Sequence, residues 1–446
     1  MSRLIIVDKR EFPEAQGDVE YHGDPRVLYH VSPLNIESRQ ITLFGHDTVF
    51  RNQVQQVFAS IMSSWNFEVK YGEMIANNII RNILPILRSF SMPVAPCPTC
   101  VIVSSGRSLQ NDFSLLQDIQ KKAFIMAVDS AVNPLMMHDI IPDMFVTIDA
   151  KKSLKHFVIA SKIPCAFTPE SIYVSQKGYF FNHSCRYIEE LLGAAGVKAP
   201  DVKSGGSVST VAYDIARQMG FKRIILVGQD LALTDGKMYT GNRANQDNKI
   251  VEAEGMQTTK EFLFYRDWFE RNIDSSIETI NASNGLKIKK CKLMNLQEAY
   301  ELIKTEKRRK KNEELPLIPL ERQGAIIKKL KADIKKLNVW KNNIINQLIK
   351  VASAKLKREA YERLFVTIAE DTVMYLPLEI SKKSMEQYLK GLQDEMDDSV
   401  AVQRYECYLQ EVAVNVNQVS RMLLDVVNQY KEYSLQRLDT DRKESQ

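Results

Sequence analysis

No histidine follows His183, the last of six in this 446-residue chain. Everything downstream must therefore do without the commonest general base. Cysteine is also scarce, six in all and scattered, with a single C-x-x-C at Cys97 and Cys100. No second close Cys/His pair completes a zinc site, so a half-formed metal or redox pair stands beside the plainer reading of ordinary free thiols. Such usage fits a reducing compartment. No apolar run approaches the roughly 18 residues of a membrane span. The opening MSRLIIVDKREF offers only Leu4 to Val7 before Asp8, too little for a signal-peptide core. A cytoplasmic protein without membrane insertion is expected. Strong charge bias is missing too: 60 Lys+Arg against 55 Asp+Glu leave +5. Nucleic-acid binding usually leaves basic residues concentrated on one face, so no nucleic acid is expected as a partner.

What is present is an ordinary globular composition, 44% hydrophobic and 26% charged, on a chain long enough for two or three domains. Three regions separate on pattern. Residues 1–90 combine strand-like runs at Leu4 to Val7, Val27 to Val31 and Ile41 to Phe44 with a helical stretch from Asp47 to Phe90. In that stretch Val54, Val57, Phe58, Ile61 and Met62 recur at helical spacing. Ser91 to Pro98, with three prolines, reads as a linker. Residues 91–303 then alternate strands and helices, the signature of an α/β, Rossmann-like, mostly parallel sheet covered on both faces. Residues 304–446 are expected to form a helical bundle. Lys304 to Lys311 (KTEKRRKK) opens this region with six basic residues. A solvated linker face, a docking surface for an acidic partner and a surface that orients an anionic donor all fit that run, which lacks aromatics for stacking bases. Tyr405, Leu409, Val412, Val416, Val419, Leu423, Val426 and Tyr430 fall near a heptad seam. An intramolecular bundle core and homo-oligomerisation remain open for it.

Continuous apolar runs place buried parallel strands at Cys100 to Val103, Phe124 to Val128, Met144 to Ile148, Cys165 to Phe167 and Arg223 to Val227. Each ends in polar or small residues: SSGRSL (Ser104 to Leu109), Asp129-Ser130, Asp149, Thr168-Pro169-Glu170 and Gly228-Gln229-Asp230. In a doubly wound sheet these endings gather at one edge, which gives a crevice lined by Gly106, Asp129, Asp149 and Asp230. The stretch Ser204 to Gly241, SGGSVSTVAYDIARQMGFKRIILVGQDLALTDGKMYTG, joins a glycine-serine loop, a helix and a buried strand. Gly205 and Gly206 allow close backbone approach to an anion, and Ser207 or Ser209 can cap the following helix. A plain capped turn is the alternative. No lysine follows in the Walker A position, and SSGRSL lacks the three-glycine dinucleotide spacing.

SSGRSL after a strand, then AVDSAVNPLMMHDIIPDMFVTID, then the Ser204 to Gly241 stretch resemble, in that order, the motility accessory factor (Maf) flagellin glycosyltransferases over roughly Cys100 to Trp268. That family carries a Rossmann-like core related to bacterial sialyltransferases, between an N-terminal domain and a C-terminal helical domain. The resemblance implies transfer of a nonulosonic acid, pseudaminic or legionaminic in type, from its CMP-linked donor to Ser or Thr of flagellin, in support of flagellum assembly and motility. CMP donors carry one phosphate, so no essential metal or other cofactor is expected. By the same resemblance Gly106 with Ser108, Asp129 with Ser130, Asp149, and Ser204, Gly205, Gly206 and Ser207 hold the nucleotide. Tyr239 is similar to a tyrosine that hydrogen-bonds the leaving phosphate.

The chain departs from the sialyltransferase pattern in three ways. Asp129 and Asp149 stand where asparagines are found, Arg107 replaces a proline and is a candidate partner for the phosphate or the sugar carboxylate, and the downstream histidine base is missing. Glu252, Glu254 and Asp235 are then base candidates, Glu254 first because it lies in the segment after the tyrosine loop, beside the reading of each as a solvated acid. Asp230 is a further catalytic acid candidate. The same core resembles archaeal hydroxymethylpterin diphosphokinases, for which Asp129, Asp149 and Asp230 would hold Mg²⁺. A non-catalytic flagellin chaperone is a third reading.

Overall fold

The computed structural model describes residues 4–8, 27–28, 41–44, 48–152, 154–157, 160–183, 185–233, 250–308, 315–389 and 396–444, with side chains described between 66 and 434. The chain divides into two compact units, 78–329 and 1–77 with 330–446. Both divisions fall inside helices, α1 (Thr48–Leu87) and α8 (Leu320–Ile349).

In the discontinuous unit, β1 (Leu4–Asp8) pairs antiparallel with β2 (Val27–Leu28) and parallel with β3 (Ile41–Phe44). The helical spacing expected over 47–90 is realised as α1. Among the described residues, the other main elements of this unit are helices: the end of α8, α9 (Ala354–Glu370), α10 (Tyr375–Ile380), α11 (Lys382–Leu389) and α12 (Asp398–Glu444). Leu409, Val412, Val416, Val419, Leu423 and Val426 on α12 are buried, and α12 packs against α9, α10 and α11. Buried side chains of this kind each stabilise by ~1.5–3 kcal/mol. Lys382 pairs with both Glu68 and Glu379, and Gly72 lets α1 pass close to the carbonyl of Glu379, where a Cβ would lie 2.2 Å from the oxygen.

The 78–329 unit holds an eight-stranded sheet, parallel at every pairing. Its elements run β4 (Thr99–Val103), α2 (Phe113–Ile119), β5 (Phe124–Val128), α3 (Asp129–Met136), β6 (Met144–Thr147), β7 (Cys165–Phe167), β8 (Gly178–Phe180), α4 (Arg186–Ala194), α5 (Val208–Met219) and β9 (Arg223–Val227). A hairpin of β10 (Ile250–Ala253) and β11 (Met256–Thr259) follows, then α6 (Lys260–Asn272), β12 (Glu278–Asn281), β13 (Lys292–Leu293) and α7 (Leu296–Ile303). Spatial order is β13-β12-β9-β4-β5-β6-β7-β8. The chain thus winds outward from β4 to β8, returns to the other side of β4 and winds outward again. The switch point falls between β4 and β9, where open α/β sheets bind ligands beyond the strand ends.

The five strands read from the sequence are present, with Ile148 left outside β6. β8, β12 and β13 were not foreseen. Burial explains the ones that were: β4, β5, β6 and β7 are buried at every position. Ser91 to Pro98 has no regular structure, yet it is no free connector. Ala95 N–H bonds the carbonyl of Met219, and Cys97 is buried. Cys97 and Cys100 are free thiols that burial pushes upward in pKa, the opposite of a metal ligand or redox thiolate. Of the basic run, Arg308 reaches Gln120 O and Asp143, and Glu306 pairs with Arg223. These contacts pin its first half to the sheet edge where the strands begin.

Candidate active site at the carboxyl edge of the sheet

Because every strand of the sheet points the same way, the loops after β4, β5, β6, β9 and β12 end along one edge. At the switch point backbone pairing outlasts the strands: Ser104 N–H bonds Val227 O and Gly106 N–H bonds Gly228 O, each at 2.8 Å. Gly106 is required here, since a Cβ would lie 2.3 Å from that carbonyl. Above it Ser104 Oγ donates to Gln229 Oε1 (2.7 Å), and Gln229 N–H donates to Ser283 Oγ (2.8 Å). Asp230 turns across the crevice and accepts from Ser108 N–H (2.8 Å) and Ser108 Oγ (2.5 Å). Burial raises its pKa, while the Ser108 bonds oppose that shift. With both oxygens engaged, Asp230 fastens the SSGRSL loop to the end of β9. Asp112 lies close enough to feel it: burial first, and then the Asp230 charge, push its pKa up to about 6.

Moving along the edge, Ser105 Oγ and Ser130 Oγ meet at 2.8 Å, joining the loop after β4 to the first turn of α3. Asp129 opens that helix, where a negative charge is favoured by the helix dipole. Its side chain is fully buried, its Oδ1 accepts from Lys152, and its Oδ2 has no partner. Burial raises its pKa, Lys152 lowers it and Asp149 raises it further. Asp149 is half-buried and folds its own loop, with Lys151 N–H on Oδ1 at 2.9 Å. Ile172 N–H bonds the carbonyl of Asp149 at 3.1 Å. Two asparagines one turn apart on α1 complete the mount. Asn78 Nδ2 donates to Ala150 O and Glu170 O, and Asn82 Nδ2 to Pro169 O and Ser171 O, all between 2.7 and 3.0 Å.

The glycine-serine loop precedes α5, which feeds β9 and runs back across the sheet toward that strand's start, so its first turn lies at this edge. Its amides turn inward. Gly205 N–H donates to Thr210 Oγ1 (2.8 Å) and Gly206 N–H to Ser204 Oγ (3.1 Å). Ser207 caps α5 by accepting from Thr210 N–H, and its hydroxyl also meets that of Ser209 at 2.7 Å. Gly206 has a left-handed φ of +84°, and a Cβ on Gly205 would lie 2.4 Å from Trp268 Cγ. The two glycine amides expected to face an anion are thus occupied within the loop.

Glu254 sits at the turn between β10 and β11 with φ +53°, half exposed and paired with Arg266. Glu252, on β10, is exposed. Tyr239 and Asp235 lie outside the described residues. The structure therefore gathers Gly106, Ser108, Ser130, Asp129, Asp149 and Asp230 along one edge. It places Glu254 on the separate hairpin. Among the described residues no three His, Cys, Asp or Glu side chains converge as a metal-ligand group, so the three aspartates do not form a ready cage. Lys152, Ser105, Gln229, Asn78 and Asn82 were not singled out from the sequence. The signal for the asparagines was there, as polar residues four apart within the apolar run IANNIIRNILPIL.

Residues 73–236 match the family model described as 6-hydroxymethylpterin diphosphokinase MptE-like. No curated protein sequence matches the chain. Among solved structures it is similar to a Maf glycosyltransferase from Magnetospirillum magneticum AMB-1, with TM-score 0.52 and 12% identity over 88% of this chain and 66% of that one. The chain thus spans just under two thirds of that protein's length. At this identity the likeness speaks for the fold, and the resemblance read from the three ordered motifs holds at that level: the chain carries an MptE-like core within the fold of a Maf glycosyltransferase.

Proposed function

We propose that this chain is a CMP-sugar-dependent glycosyltransferase that moves a nonulosonic acid of the pseudaminic or legionaminic type onto Ser or Thr hydroxyls of flagellin. The observation that carries the reading is the extent of the structural likeness. The MptE-like match stops at residue 236, whereas the likeness to the Maf glycosyltransferase covers 88% of the chain. A macromolecular acceptor gives the additional unit a use.

In this reading the nucleotide lies across the edge formed by the loops after β4, β5 and β6, with Ser105 and Ser130 presenting hydroxyls and Asp149 fixing its loop. Departure of CMP from the tertiary anomeric carbon develops positive charge on the sugar and negative charge on the phosphate. The chain's main task is to stabilise that phosphate charge and align the acceptor hydroxyl. Tyr239 donates to the leaving phosphate. Glu254 or a neighbouring acid accepts the acceptor's proton, a step worth only ~10²–10⁴-fold, so loss of a histidine base is tolerated. No divalent metal takes part, and direct displacement inverts the anomeric centre. Tyr239→Phe should lower kcat more than it weakens donor binding, because its hydrogen bond strengthens as the phosphate leaves. Equal losses would make it a ground-state contact only.

A diphosphokinase acting on a pterin is the second reading, favoured by the family model that residues 73–236 match. Thermal-shift measurements separate the two. Stabilisation by CMP without metal supports the transferase, stabilisation only by ATP with Mg²⁺ supports the kinase, and neither leaves a non-catalytic flagellin chaperone.

A further inference from the structure

The corner between β5 and β6 holds an ion pair that the assignments above leave without a purpose. Asp129 is fully buried, Lys152 keeps only 15% of its side chain exposed, and Asp129 Oδ2 is buried without a partner. Such a pair is a poor stabilising device. Desolvation of two charges offsets their attraction unless the remaining lone pairs and protons are also satisfied, and an apolar pair of similar size often does as well. Here they are not satisfied. The Lys152 ammonium carries three donors, and Asp129 Oδ1 is the acceptor it meets among the described residues.

The loop that carries Lys152 is nevertheless fixed at several points. Asn78 holds Ala150 O, Ile172 N–H holds Asp149 O, and Asp149 Oδ1 holds Lys151 N–H. The adjacent Lys151 is exposed, whereas Lys152 is turned inward. Arg223 and Arg308 pair at the edge where the strands begin, and Arg266 pairs with the hairpin residue Glu254, whereas Arg107, half-buried in the loop after β4, is a second cation at this edge. A rigid mount, an inward cation with spare donors, and hydroxyls of Ser105 and Ser130 in the neighbouring loops make a cradle for an anion.

We propose that Lys152 binds the phosphate oxygens of the substrate, exchanging its contact with Asp129 for one with the anion. Asp129 is then a positioning residue: it holds the ammonium at the edge until the ligand arrives. This inference rests on the nucleotide-site reading of the edge, but not on which nucleotide binds. The phosphate, rather than the sugar carboxylate, is the group recognised, and ligands with and without phosphate distinguish the two.

Calorimetric titration of the full chain with CMP, cytidine, free nonulosonic acid, inorganic phosphate, and ATP with Mg²⁺ tests it. The wild type should bind at least one phosphate-bearing ligand. Lys152→Met should weaken that binding about tenfold or more, the size of one lost charged hydrogen bond. Lys152→Arg should recover part of the loss, Lys151→Met should change nothing, and any cytidine binding should be unaffected. Because Lys152→Met leaves Asp129 buried and uncompensated, the double variant Asp129→Asn/Lys152→Met serves as a folded control and should show the same loss. Wild-type affinity in either Lys152→Met protein overturns the inference, as does a wild type that binds none of the phosphate ligands. A loss confined to nonulosonic acid reassigns Lys152 to the carboxylate and overturns it too. Lys152-dependent binding of ATP with Mg²⁺, without CMP binding, keeps the inference and overturns the transferase reading instead.

Discussion

Two loops at one sheet edge illustrate how differently the same expectation can be built. The glycine-serine loop Ser204 to Ser207 has the residue types of an anion site, yet its two glycine amides are spent on Thr210 and Ser204, Gly205 serves close approach to Trp268, and Gly206 serves a left-handed φ of +84°. The corner formed by Asp129, Ser130 and Lys152 has no such motif. It nevertheless has a buried oxygen without a partner and an inward lysine. Small residues create room, and room is used either for a ligand or for a neighbouring helix. Only the hydrogen-bond inventory distinguishes these uses. In this chain the first loop is internally complete and the second is not.

That contrast can be broken most strongly at the second corner. Lys152→Met should destabilise the protein by about 3 kcal/mol, since breaking one side of a buried pair leaves a desolvated charge. Adding Asp129→Asn should recover most of that in denaturant unfolding. If Lys152→Met alone is neutral, the corner is solvated and the contrast disappears.

At the first loop, Gly205→Ala should cost about 2 kcal/mol. The new Cβ lies 2.4 Å from Trp268 Cγ, and a buried indole cannot move without repacking Tyr213 and Phe269. Its effect on ligand affinity, measured on the folded fraction, should be smaller than that of Lys152→Met. The reverse order would return the anion to the glycine loop. Ser207→Ala should lose about 1 kcal/mol, the ordinary value of an N-cap, with little change in binding.

The effect that depends on pH is at the switch point. Burial and the facing Asp230 charge raise Asp112 from 3.8 to about 6, so the folded state binds more protons than the unfolded state between those values. Stability contributed by this group therefore falls as pH rises through that window. Asp112→Asn should raise Tm at pH 8 and bring little gain near pH 4. A gain independent of pH would show that Asp112 is ordinary.

The strands legible in the sequence were those buried on both faces, because only there does the apolar run continue without interruption. β8 (Gly178–Phe180) opens on a glycine straight after the polar run Ser175 to Lys177, and β12 carries Glu278 and Asn281 among its four residues. The residues at the strand ends were legible for the same reason, since Gly106, Asp129, Asp149 and Asp230 each follow an apolar strand. Their partners were hidden. Lys152 and the asparagines of α1 act across 23 to 92 positions of sequence, and no local pattern reports such pairings. Asp230 shows the limit from the other side. An acid at a crevice reads as chemistry, but its two bonds to Ser108 make it a fastener of the loop.

The central claim is glycosyl transfer, and one measurement bears on it directly: intact-mass analysis of purified flagellin incubated with this protein and CMP-pseudaminic or CMP-legionaminic acid, without added metal. The expected result is a mass increase of whole nonulosonic acid units on Ser or Thr with one of the two donors. Unmodified flagellin with both donors, alongside ATP consumption by the same protein with a pterin and Mg²⁺, would contradict it.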